Sequence, residues 1–413
     1  MAPLSTPLST TATFRDAPLF DADLAEVDAA IREAVTGKRI LAVGAAGSIG
    51  SSTVKRLSAY DPAAIHVVDH NENALAELVR ELRSGTEDFT VGEFRTLPLD
   101  YGSPAMLQLM EAEGPYDRIL NFAAIKHVRS EKDVFSILQM FDTNIVKQAR
   151  FRDWIARTSP DADYFSVSTD KAANPVSFMG ASKRVMEHVL FHGAREAGLN
   201  GTVSTTRFAN VAYSNGSLLQ GWENRLRRRE PLPCPDGIQR YFVSLHEAGQ
   251  ICLLASTVAG HERIAIPRLD PATQLVPLER VARRFLAHHG LEPLVVRDEA
   301  EARHGVEAAL ADGKYPLLLT PANTAGEKPY EEFVGEGETS VEIGLPNMLA
   351  VPYRGLADGA NFAAFMAEIE ALVLGGRPVS GLDKDALRDL LASVEPQFAA
   401  AHIASRETLD DRV

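Results

Sequence analysis

The chain has 413 residues, of which 45% are hydrophobic and 24% charged, and its formal net charge is −14. That length can bury a large core and predicts two lobes, while the acidic balance argues against a protein that coats nucleic acid. No run of about 18 apolar residues occurs, so no membrane span is expected. The two cysteines, Cys234 and Cys252, show neither disulfide nor metal-ligand spacing. These features predict a cytoplasmic protein with no metal site, no nucleic acid partner and no membrane contact.

The first residues of the chain are predicted to be a loosely packed arm followed by a helix. Residues 1–18 are rich in Ser, Thr, Pro and Ala and lack the basic and apolar regions of a secretory signal. Asp21 can cap a helix that continues to about Val35, and Gly37 then ends it. Residues 1–36 are therefore expected to form an N-terminal arm and helix.

A glycine-rich segment follows the first predicted strand. Residues 40–43 form a short apolar run, a helix is predicted from about Ser48, and three glycines in GxxGxxG spacing lie at the junction. Glycines there let the backbone turn tightly and approach a pyrophosphate at the helix N-terminus. The predicted dinucleotide contacts in this segment are Gly44, Gly47, Ser48, Ile49 and Gly50.

The next strands end in residues that fit the rest of a dinucleotide. Asp69 lies nineteen positions after Gly50 and ends the second strand, where its carboxylate can bond a ribose hydroxyl pair and repel a 2′-phosphate. Asp100 ends the third strand, in position to bond an adenine amino group. Ala123 and Ala124 follow the fourth strand and are small enough for a ribose to lie close. The cofactor predicted from these residues is NAD.

The alternation of strands and helices predicts an α/β fold with a Rossmann-type doubly wound parallel sheet and a smaller C-terminal substrate-binding lobe. The lobe is expected to be interleaved with the Rossmann domain. The region after 336 is predicted to be a loop and amphipathic helices that pack on that lobe or on another subunit. The predicted segments are 1–36 (arm and helix), 37–210 (NAD-binding domain), 211–335 (substrate-binding lobe) and 336–413 (C-terminal extension).

A polar stretch, residues 166–183, holds most of the candidate chemistry. A predicted strand at 162–168 delivers Thr169, Asp170 and Lys171 at its carboxyl end, and Lys183 is predicted to open the next helix. Open α/β sheets place their reactive groups at the carboxyl ends of strands. A surface ion pair between Asp170 and Lys171 is the structural alternative.

Several motifs occur in order: GxxGxxG, NFAAIKHV, STDKAANP, MGASK, RFANVAYSNGS and RYF. Together, from about 38 to about 335, they resemble the extended short-chain dehydrogenase/reductase superfamily, and within it the bacterial nucleotide-sugar 4,6-dehydratases of polysaccharide biosynthesis. The resemblance implies C4 oxidation with hydride passing to NAD⁺, elimination of water across C5 and C6, and hydride return to C6. The product would be a 4-keto-6-deoxy sugar nucleotide, and NAD would stay tightly bound and be recycled. Many relatives carry a membrane-spanning N-terminal region. Because no such region is expected in this sequence, the chain looks like a soluble short form.

The resemblance also implies roles for the polar stretch. Thr169 would bond the C4 oxygen, Asp170 would be the acid at C6, Lys171 the base at C5, and Lys183 would bond the nicotinamide ribose. Met179 stands where the superfamily usually has a tyrosine, and a thioether cannot accept the C4 hydroxyl proton. The C4 base is therefore open among Asp170, Lys171, and Lys183 acting through Thr169 or a water. Of these we favour Asp170.

Further resemblances predict contacts to the nucleotide sugar. Arg240 looks like an arginine that bonds a diphosphate, for which its planar donors are suited. The predicted substrate contacts are Lys126, Asn210, Ser214, Ser217, Leu218, Arg240, Lys328 and Glu331. His188 and His192 have the helical spacing of a metal pair, but no third ligand is evident, so they are interpreted as helix-surface residues.

Three functions remain open at this point. The leading one is a dehydratase acting on UDP-N-acetylglucosamine or a related nucleotide sugar, expected to be a homo-oligomer. A nucleotide-sugar epimerase shares the fold and the cofactor, but it has no use for an acid–base pair at C5 and C6. A non-catalytic NAD-sensing protein would be expected to lose the polar cluster, which this chain keeps.

Overall fold

The computed structural model describes residues 7–84, 88–126, 131–321, 330–356 and 358–402. Within these ranges the helices and strands are numbered in chain order. The strands are β1 (Arg39–Val43), β2 (Ala64–Val68), β3 (Glu93–Leu97), β4 (Arg118–Asn121), β5 (Asp163–Val167), β6 (Val203–Thr206), β7 (Asn210–Val211), β8 (Leu232–Pro235), β9 (Gln239–Val243), β10 (Arg263–Pro267), β11 (Leu275–Pro277), β12 (Glu292–Val296), β13 (Lys314–Thr320), β14 (Val341–Glu342) and β15 (Met348–Pro352). The α-helices are α1 (Thr10–Thr13), α2 (Asp21–Val35), α3 (Ser48–Leu57), α4 (Glu72–Ser84), α5 (Pro104–Glu113), α6 (Val134–Phe141), α7 (Lys147–Thr158), α8 (Phe178–Ala197), α9 (Leu218–Arg228), α10 (Leu245–Thr257), α11 (Pro271–Gln274), α12 (Leu278–His288), α13 (Glu299–His304), α14 (Val306–Ala311), α15 (Gly359–Val373), α16 (Lys384–Ala392) and α17 (Pro396–Ala401).

The chain divides into two compact units, which interleave in sequence. We call them the larger and the smaller unit. The larger unit comprises Phe20–Phe208, Gly249–Pro267 and Glu332–Val413. The smaller unit comprises Met1–Leu19, Ala209–Ala248 and Arg268–Glu331. The four-segment division predicted from the sequence stays a prediction.

The larger unit is built on one sheet with the strand order β14-β15-β10-β6-β5-β4-β1-β2-β3. Strands β1 to β6 and β10 run parallel, and β14 and β15 join antiparallel at one edge. Val43, the last residue of β1, pairs with both Val68 and Asn121. The chain reverses its direction of travel across the sheet between β1 and β4, and such a switch point is where doubly wound folds bind ligands. The predicted fold class is confirmed.

The central strands are apolar on both faces because helices cover both sides of the sheet. Every residue of β2 is buried, as are the last four of β1. Helix α8 packs against this sheet, and fifteen of its twenty residues are buried, which makes it a core helix. Ser177 begins it, with its Oγ accepting from Gly180 N at 3.2 Å. The prediction that Lys183 opens this helix was therefore wrong, since a serine cap sets the start five residues earlier.

Two connections between these elements are irregular. Strands β6 and β7 are separated by three residues, yet β7 belongs to a different sheet. Helices α6 and α7 are joined by a π-helical turn at Asp142–Val146. A π-helical turn inside an α-helix is frequent at functional sites.

The segment after 336 matches its prediction only in part. Residues 341–352 contribute β14 and β15 to the main sheet rather than a loop. Helices α15, α16 and α17 do form, but they pack on the larger unit, in an apolar cluster that includes Phe141, Phe178 and Val189. The buried phenylalanines at 362, 365 and 398 pack against the chain's own helices α6 and α8, and not on the substrate lobe as one of the two expectations had it. Packing on another subunit stays a prediction.

The smaller unit contains two three-stranded sheets, with orders β11-β9-β7 and β12-β13-β8. Its apolar core surrounds Trp222, Phe285 and Tyr315, all fully buried. Helix α1 belongs to this core: its residues are buried, and Thr11 Oγ1 bonds Tyr213 Oη at 2.6 Å. The loosely packed arm predicted for residues 1–18 was therefore wrong at residues 10–13.

Candidate functional site

The glycine-rich segment forms a tight turn between β1 and α3. Gly44 has a φ of +65°, and a Cβ there would lie 2.4 Å from the backbone N of Ala123. A Cβ on Gly50 would lie 2.5 Å from the Cα of Ala45, so α3 packs closely on the turn. The turns after β1 and β4 thus touch at the switch point, and only a glycine fits at their contact. Gly47 precedes helix α3, whose first residues are Ser48 and Ile49 and whose first turn carries no acidic residue.

Asp69 lies against this glycine turn. Its Oδ2 accepts from Ala46 N at 3.1 Å and its Oδ1 from Asn71 N at 2.9 Å. The carboxylate is buried. The structure therefore brings the predicted ribose ligand and the predicted pyrophosphate turn together.

Asp100 is held by a cation that sequence reasoning missed. Its Oδ2 accepts from Lys147 Nζ at 2.6 Å, and its Oδ1 accepts from Gly102 N at 2.8 Å. Burial raises the pKa of the Asp100 carboxyl, but these two hydrogen bonds outweigh it and bring the pKa below its usual value. Asp100 is thus a fixed anion, and its predicted contact with adenine stays a prediction.

The loop that carries Ala123 and Ala124 is fastened to helix α8 through Asn144. Asn144 lies in the π-helical turn, accepts from Ile125 N at 2.9 Å, and donates to Ile125 O at 2.9 Å. Its amide also donates to Ser182 Oγ at 3.0 Å. Ser182 neighbours Lys183, so the cofactor-side loop and the helix with the candidate lysine are directly connected.

Thr169, Asp170 and Lys171 form a compact turn after β5, which we call the catalytic turn after the roles expected of these residues from the sequence. Residues Asp170–Ala172 are a 3-10 helix capped by Thr169. Thr169 Oγ1 donates to Asp170 Oδ1 at 2.8 Å, and Lys171 Nζ lies 3.1 Å from Asp170 Oδ2. The Asp170 side chain is 7% exposed and that of Lys171 is 36% exposed. The pair is therefore not a surface ion pair in the ordinary sense, since its carboxylate is buried.

Lys183 lies on α8 beside the end of β5. Its Nζ donates to the carbonyl oxygen of Val167 at 2.7 Å, two residues before Thr169. Burial lowers the pKa of the Lys183 ammonium to about 8, against an opposing effect of Glu187. The lysine thus lies next to the catalytic turn and loses its proton more readily than an exposed lysine.

Met179 is buried in the first turn of α8, and its neighbours show how tightly that turn is held. Its backbone N donates to Glu131 Oε1 at 2.8 Å. A Cβ on Gly180 would lie 2.6 Å from the carbonyl oxygen of Lys171, so the helix backbone touches the catalytic turn. Burial raises the pKa of the Glu131 carboxyl to about 7, although donors at Met179, Phe178 and Ser177 lower it. Glu131 was not predicted as a site residue from the sequence, because its contact with the start of α8 joins residues that are 48 positions apart in the chain.

In the smaller unit, three predicted substrate residues meet around one carboxylate. Glu331 is buried, and Arg240 Nε lies 3.1 Å from its Oε1. Asn210 Nδ2 also donates to Glu331 Oε1, and Tyr241 N donates to Oε2 at 3.1 Å. Asn210, Arg240 and Glu331 were expected to share a site, and the structure brings them together.

The remaining predicted substrate residues are placed as follows. Ser214 is buried, and its carbonyl oxygen accepts from Ser217 N at 2.9 Å. Ser217 caps α9 and Leu218, 40% exposed, begins it. Lys126 is exposed at the end of a described range, and Lys328 lies outside the described residues.

The described residues contain no cluster of His, Cys, Asp and Glu that could hold a metal ion. His188 is nevertheless not the surface residue expected from the sequence. It is 4% exposed, its Nδ1 lies 2.8 Å from Tyr353 Oη, and its Nε2 lies 2.5 Å from Glu395 Oε1. The C-terminal segment covers this face of α8, which the helical spacing alone could not indicate. Within the described part of the chain, no helix is both long and apolar enough to cross a bilayer.

Comparison with known proteins places this geometry in a family. The model of a family described as polysaccharide biosynthesis protein matches residues 40–352. The chain belongs to this family. The match runs from β1 to β15 and so includes the glycine turn, the catalytic turn and the three residues Asn210, Arg240 and Glu331.

Three relatives show the range of the family. An uncharacterized membrane protein of Methanocaldococcus jannaschii is 28% identical over 86% of this chain and 96% of its own length. The capsular polysaccharide biosynthesis protein CapD of Staphylococcus aureus is 29% identical over 63% of this chain, which spans only 43% of that relative. A UDP-N-acetylglucosamine 4,6-dehydratase (inverting) of Campylobacter jejuni is 26% identical over 61% of this chain and 73% of its own length. The chain is thus a polysaccharide biosynthesis protein, and it is similar to named nucleotide-sugar dehydratases and epimerases.

A solved structure supports the fold. The X-ray structure of Pen from Bacillus thuringiensis has a TM-score of 0.61, with 21% identity over 77% of this chain and 88% of the other. At this identity the likeness concerns the fold alone.

Proposed function

We propose that the chain is an NAD-dependent nucleotide-sugar 4,6-dehydratase that converts UDP-N-acetylglucosamine, or a related nucleotide sugar, to a 4-keto-6-deoxy product. The observation that carries the proposal is the catalytic turn, in which Thr169, Asp170 and Lys171 are hydrogen-bonded in series. Elimination across C5 and C6 needs an acid and a base that act close together on one sugar. An epimerase acting at C4 alone has no task for the pair.

The glycine turn fits a dinucleotide. The backbone of Gly44 lies so close to Ala123 that any side chain at position 44 would occupy the turn. The first turn of α3 has no carboxylate that would repel a pyrophosphate. We assign the pyrophosphate to Gly47, Ser48 and Ile49, and the ribose hydroxyls to Asp69. NAD would accept a hydride from C4 of the sugar and return it to C6.

The side chains of the catalytic turn suggest a path for the C4 hydroxyl proton that does not need a tyrosine. A hydroxyl has one donor and two acceptor lone pairs, and Thr169 uses its donor on Asp170. Thr169 can therefore accept the C4 proton while passing its own to Asp170. Asp170 then holds the proton that leaves with the C6 hydroxyl as water.

Lys171 is assigned to the C5 proton. It lies 3.1 Å from Asp170, so the base assigned to C5 and the acid assigned to C6 are adjacent. A neutral Lys171 can take the C5 proton and return it after C6 is reduced. In the smaller unit, Arg240 and Asn210 are assigned to the nucleotide sugar. We also propose a cytoplasmic homo-oligomer with the domain division predicted from the sequence.

The deciding experiment is incubation of the purified protein with UDP-N-acetylglucosamine, followed by mass spectrometry and NMR of the product. Loss of one water is expected. An isomer of unchanged mass would make the protein an epimerase, and no turnover of any UDP- or GDP-hexose would exclude both enzymes.

The variant Lys171→Ala separates the roles within the turn. It should stop exchange of the C5 proton with solvent deuterium while bound NAD is retained. Full activity of Lys171→Ala would remove this residue from the mechanism.

A further inference from the structure

The larger unit buries an ion pair that the proposed reaction does not use. The side chains of Glu187 and Arg207 are both 0% exposed. Arg207 donates through Nε to Glu187 Oε1 at 2.8 Å and through Nη2 to Oε2 at 2.6 Å. Because the cost of desolvating two charges offsets their attraction, a buried ion pair is weak evidence for a stabilising role. We therefore look to the other contacts of this pair for its role.

One of these contacts reaches the catalytic turn. Glu187 Oε1 also accepts from Ser168 Oγ at 2.7 Å. Ser168 lies between Val167, the last residue of β5, and Thr169, which caps the turn. The buried pair thus holds the chain one residue before the candidate catalytic side chains.

Lys183 adds a second attachment from the same helix. Lys183 and Glu187 are four residues apart on α8 and therefore lie on one face. Lys183 holds the carbonyl oxygen of Val167, and Glu187 holds the hydroxyl of Ser168. Two adjacent residues at the end of β5 are fixed to two side chains one helical turn apart. The strand end cannot rotate or slide along α8 without breaking both hydrogen bonds.

The C-terminal segment completes the charge balance around Glu187. Glu338 Oε2 accepts from Arg207 Nη1 at 2.6 Å, and Glu338 Oε1 accepts from Arg184 Nη1 at 2.7 Å. Arg184 Nη1 also lies 3.1 Å from Glu187 Oε2. Burial raises the pKa of Glu187, but the attraction of Arg207 outweighs it and lowers the pKa below its usual value. Glu187 is consequently an anion with fixed donors on both oxygens.

We propose that Glu187 is a positioning residue, which acts through Ser168 to hold Thr169, Asp170 and Lys171 in fixed register with Lys183. Its effect on turnover rests on the proposed dehydratase function, whereas its effect on the order of the turn does not. Misplacement of reacting groups by about 1 Å can cost about 100-fold in rate, so such register has catalytic value.

The test uses Ser168→Ala in the 413-residue chain, with NAD added. Removing Glu187 or Arg207 would leave a buried unpaired charge and could prevent folding, whereas Ser168→Ala leaves the ion pair intact. Ser58→Ala is the matched control: Ser58 is 1% exposed and donates to Lys55 O at 2.7 Å, outside the network.

Two readouts are taken. The first is hydrogen–deuterium exchange at the amides of Ala172 and Ala173, which bond Thr169 O and Asp170 O within the turn. The second is kcat and KM on UDP-N-acetylglucosamine. Ser168→Ala should exchange at least about tenfold faster at these amides, and kcat should fall about tenfold with KM changed less than twofold. Ser58→Ala should change neither.

Unchanged exchange in Ser168→Ala would overturn the proposal whatever the activity. Faster exchange with an unchanged kcat would overturn the catalytic part. If the wild-type protein turns over no nucleotide sugar, the proposed function fails, and the exchange comparison alone decides whether Glu187 orders the turn.

Discussion

Gly180 and Lys171 meet backbone to backbone: a Cβ on Gly180 would lie 2.6 Å from the Lys171 carbonyl oxygen. The start of helix α8 therefore rests directly on the catalytic turn. The position of Met179 and Lys183 relative to Asp170 depends on this contact, because all of them lie within a few residues of it.

Gly180→Ala should push α8 and the turn apart. Overpacking of a tight contact costs about 1–3 kcal/mol of unfolding free energy, and we expect kcat to fall as well. Gly221→Ala is the control, since Gly221 lies within helix α9 and a Cβ there meets nothing within 4 Å. That control should gain about 0.5–1 kcal/mol from helix propensity alone. Chemical denaturation measures both, and a stabilised Gly180→Ala variant would contradict the contact.

Gly44→Ala should impair cofactor binding. Gly44 combines a φ of +65° with crowding against Ala123, while Gly198 has a φ of +77° and open space around its Cβ position. Gly198→Ala therefore isolates the cost of left-handed backbone, about 1–2 kcal/mol. Gly44→Ala should lose more stability than this control and also lose bound NAD, measured as the dinucleotide released on denaturation. If Gly44→Ala retained as much NAD as the wild type, the glycine turn would not be the cofactor-binding site.

The central part of the fold could be predicted because its signals are local. Apolar runs such as residues 40–43, glycines at fixed spacing and polar residues at strand ends lie within a few positions of each other. These patterns predicted the doubly wound sheet. That Asn210, Arg240 and Glu331 share a site was predicted from the family resemblance and not from these local patterns.

The rest depends on contacts between residues far apart in the chain. Strand β15 pairs with β10, more than eighty positions away, and its short apolar run alone does not distinguish a strand from a loop. The Glu187, Arg207 and Glu338 network likewise joins three distant segments. Buried charges cannot be recognised in a sequence, because their partners are set by the fold.

Glu131 should make stability depend on pH. Burial raises its pKa to about 7, so between its usual value and 7 the folded protein binds more protons than the unfolded chain. The contribution of the protonated Glu131 carboxyl to the free energy of unfolding is complete below the usual carboxyl pKa. It is lost as pH rises through about 7. As pH rises from 5 to 8, the wild type should therefore lose about 1–3 kcal/mol of unfolding free energy relative to Glu131→Gln.

Denaturant titrations at the two pH values measure this difference. Glu196→Gln, which changes an exposed carboxylate on the same chain, is the control and should show no such trend. An equal difference between wild type and Glu131→Gln at both pH values would show that the carboxylate is not buried as described.

Lys183 gives a trend at the opposite end of the pH scale. Its folded pKa is about 8 because of burial, whereas an unfolded lysine keeps its proton to higher pH. Between about 8 and 10.5 the unfolded chain binds more protons, so wild-type stability should rise with pH relative to Lys183→Met, by up to about 3 kcal/mol. Lys314→Met, at an exposed position, should show no rise. Lys183→Met should also lower kcat by about 100-fold, because Lys183 holds Val167 beside the catalytic turn and misplacement of reacting groups by about 1 Å costs that much. If stability rose equally in wild type and Lys183→Met, the ammonium would not be titrating in the buried site, and its assigned contact with Val167 would have to be abandoned.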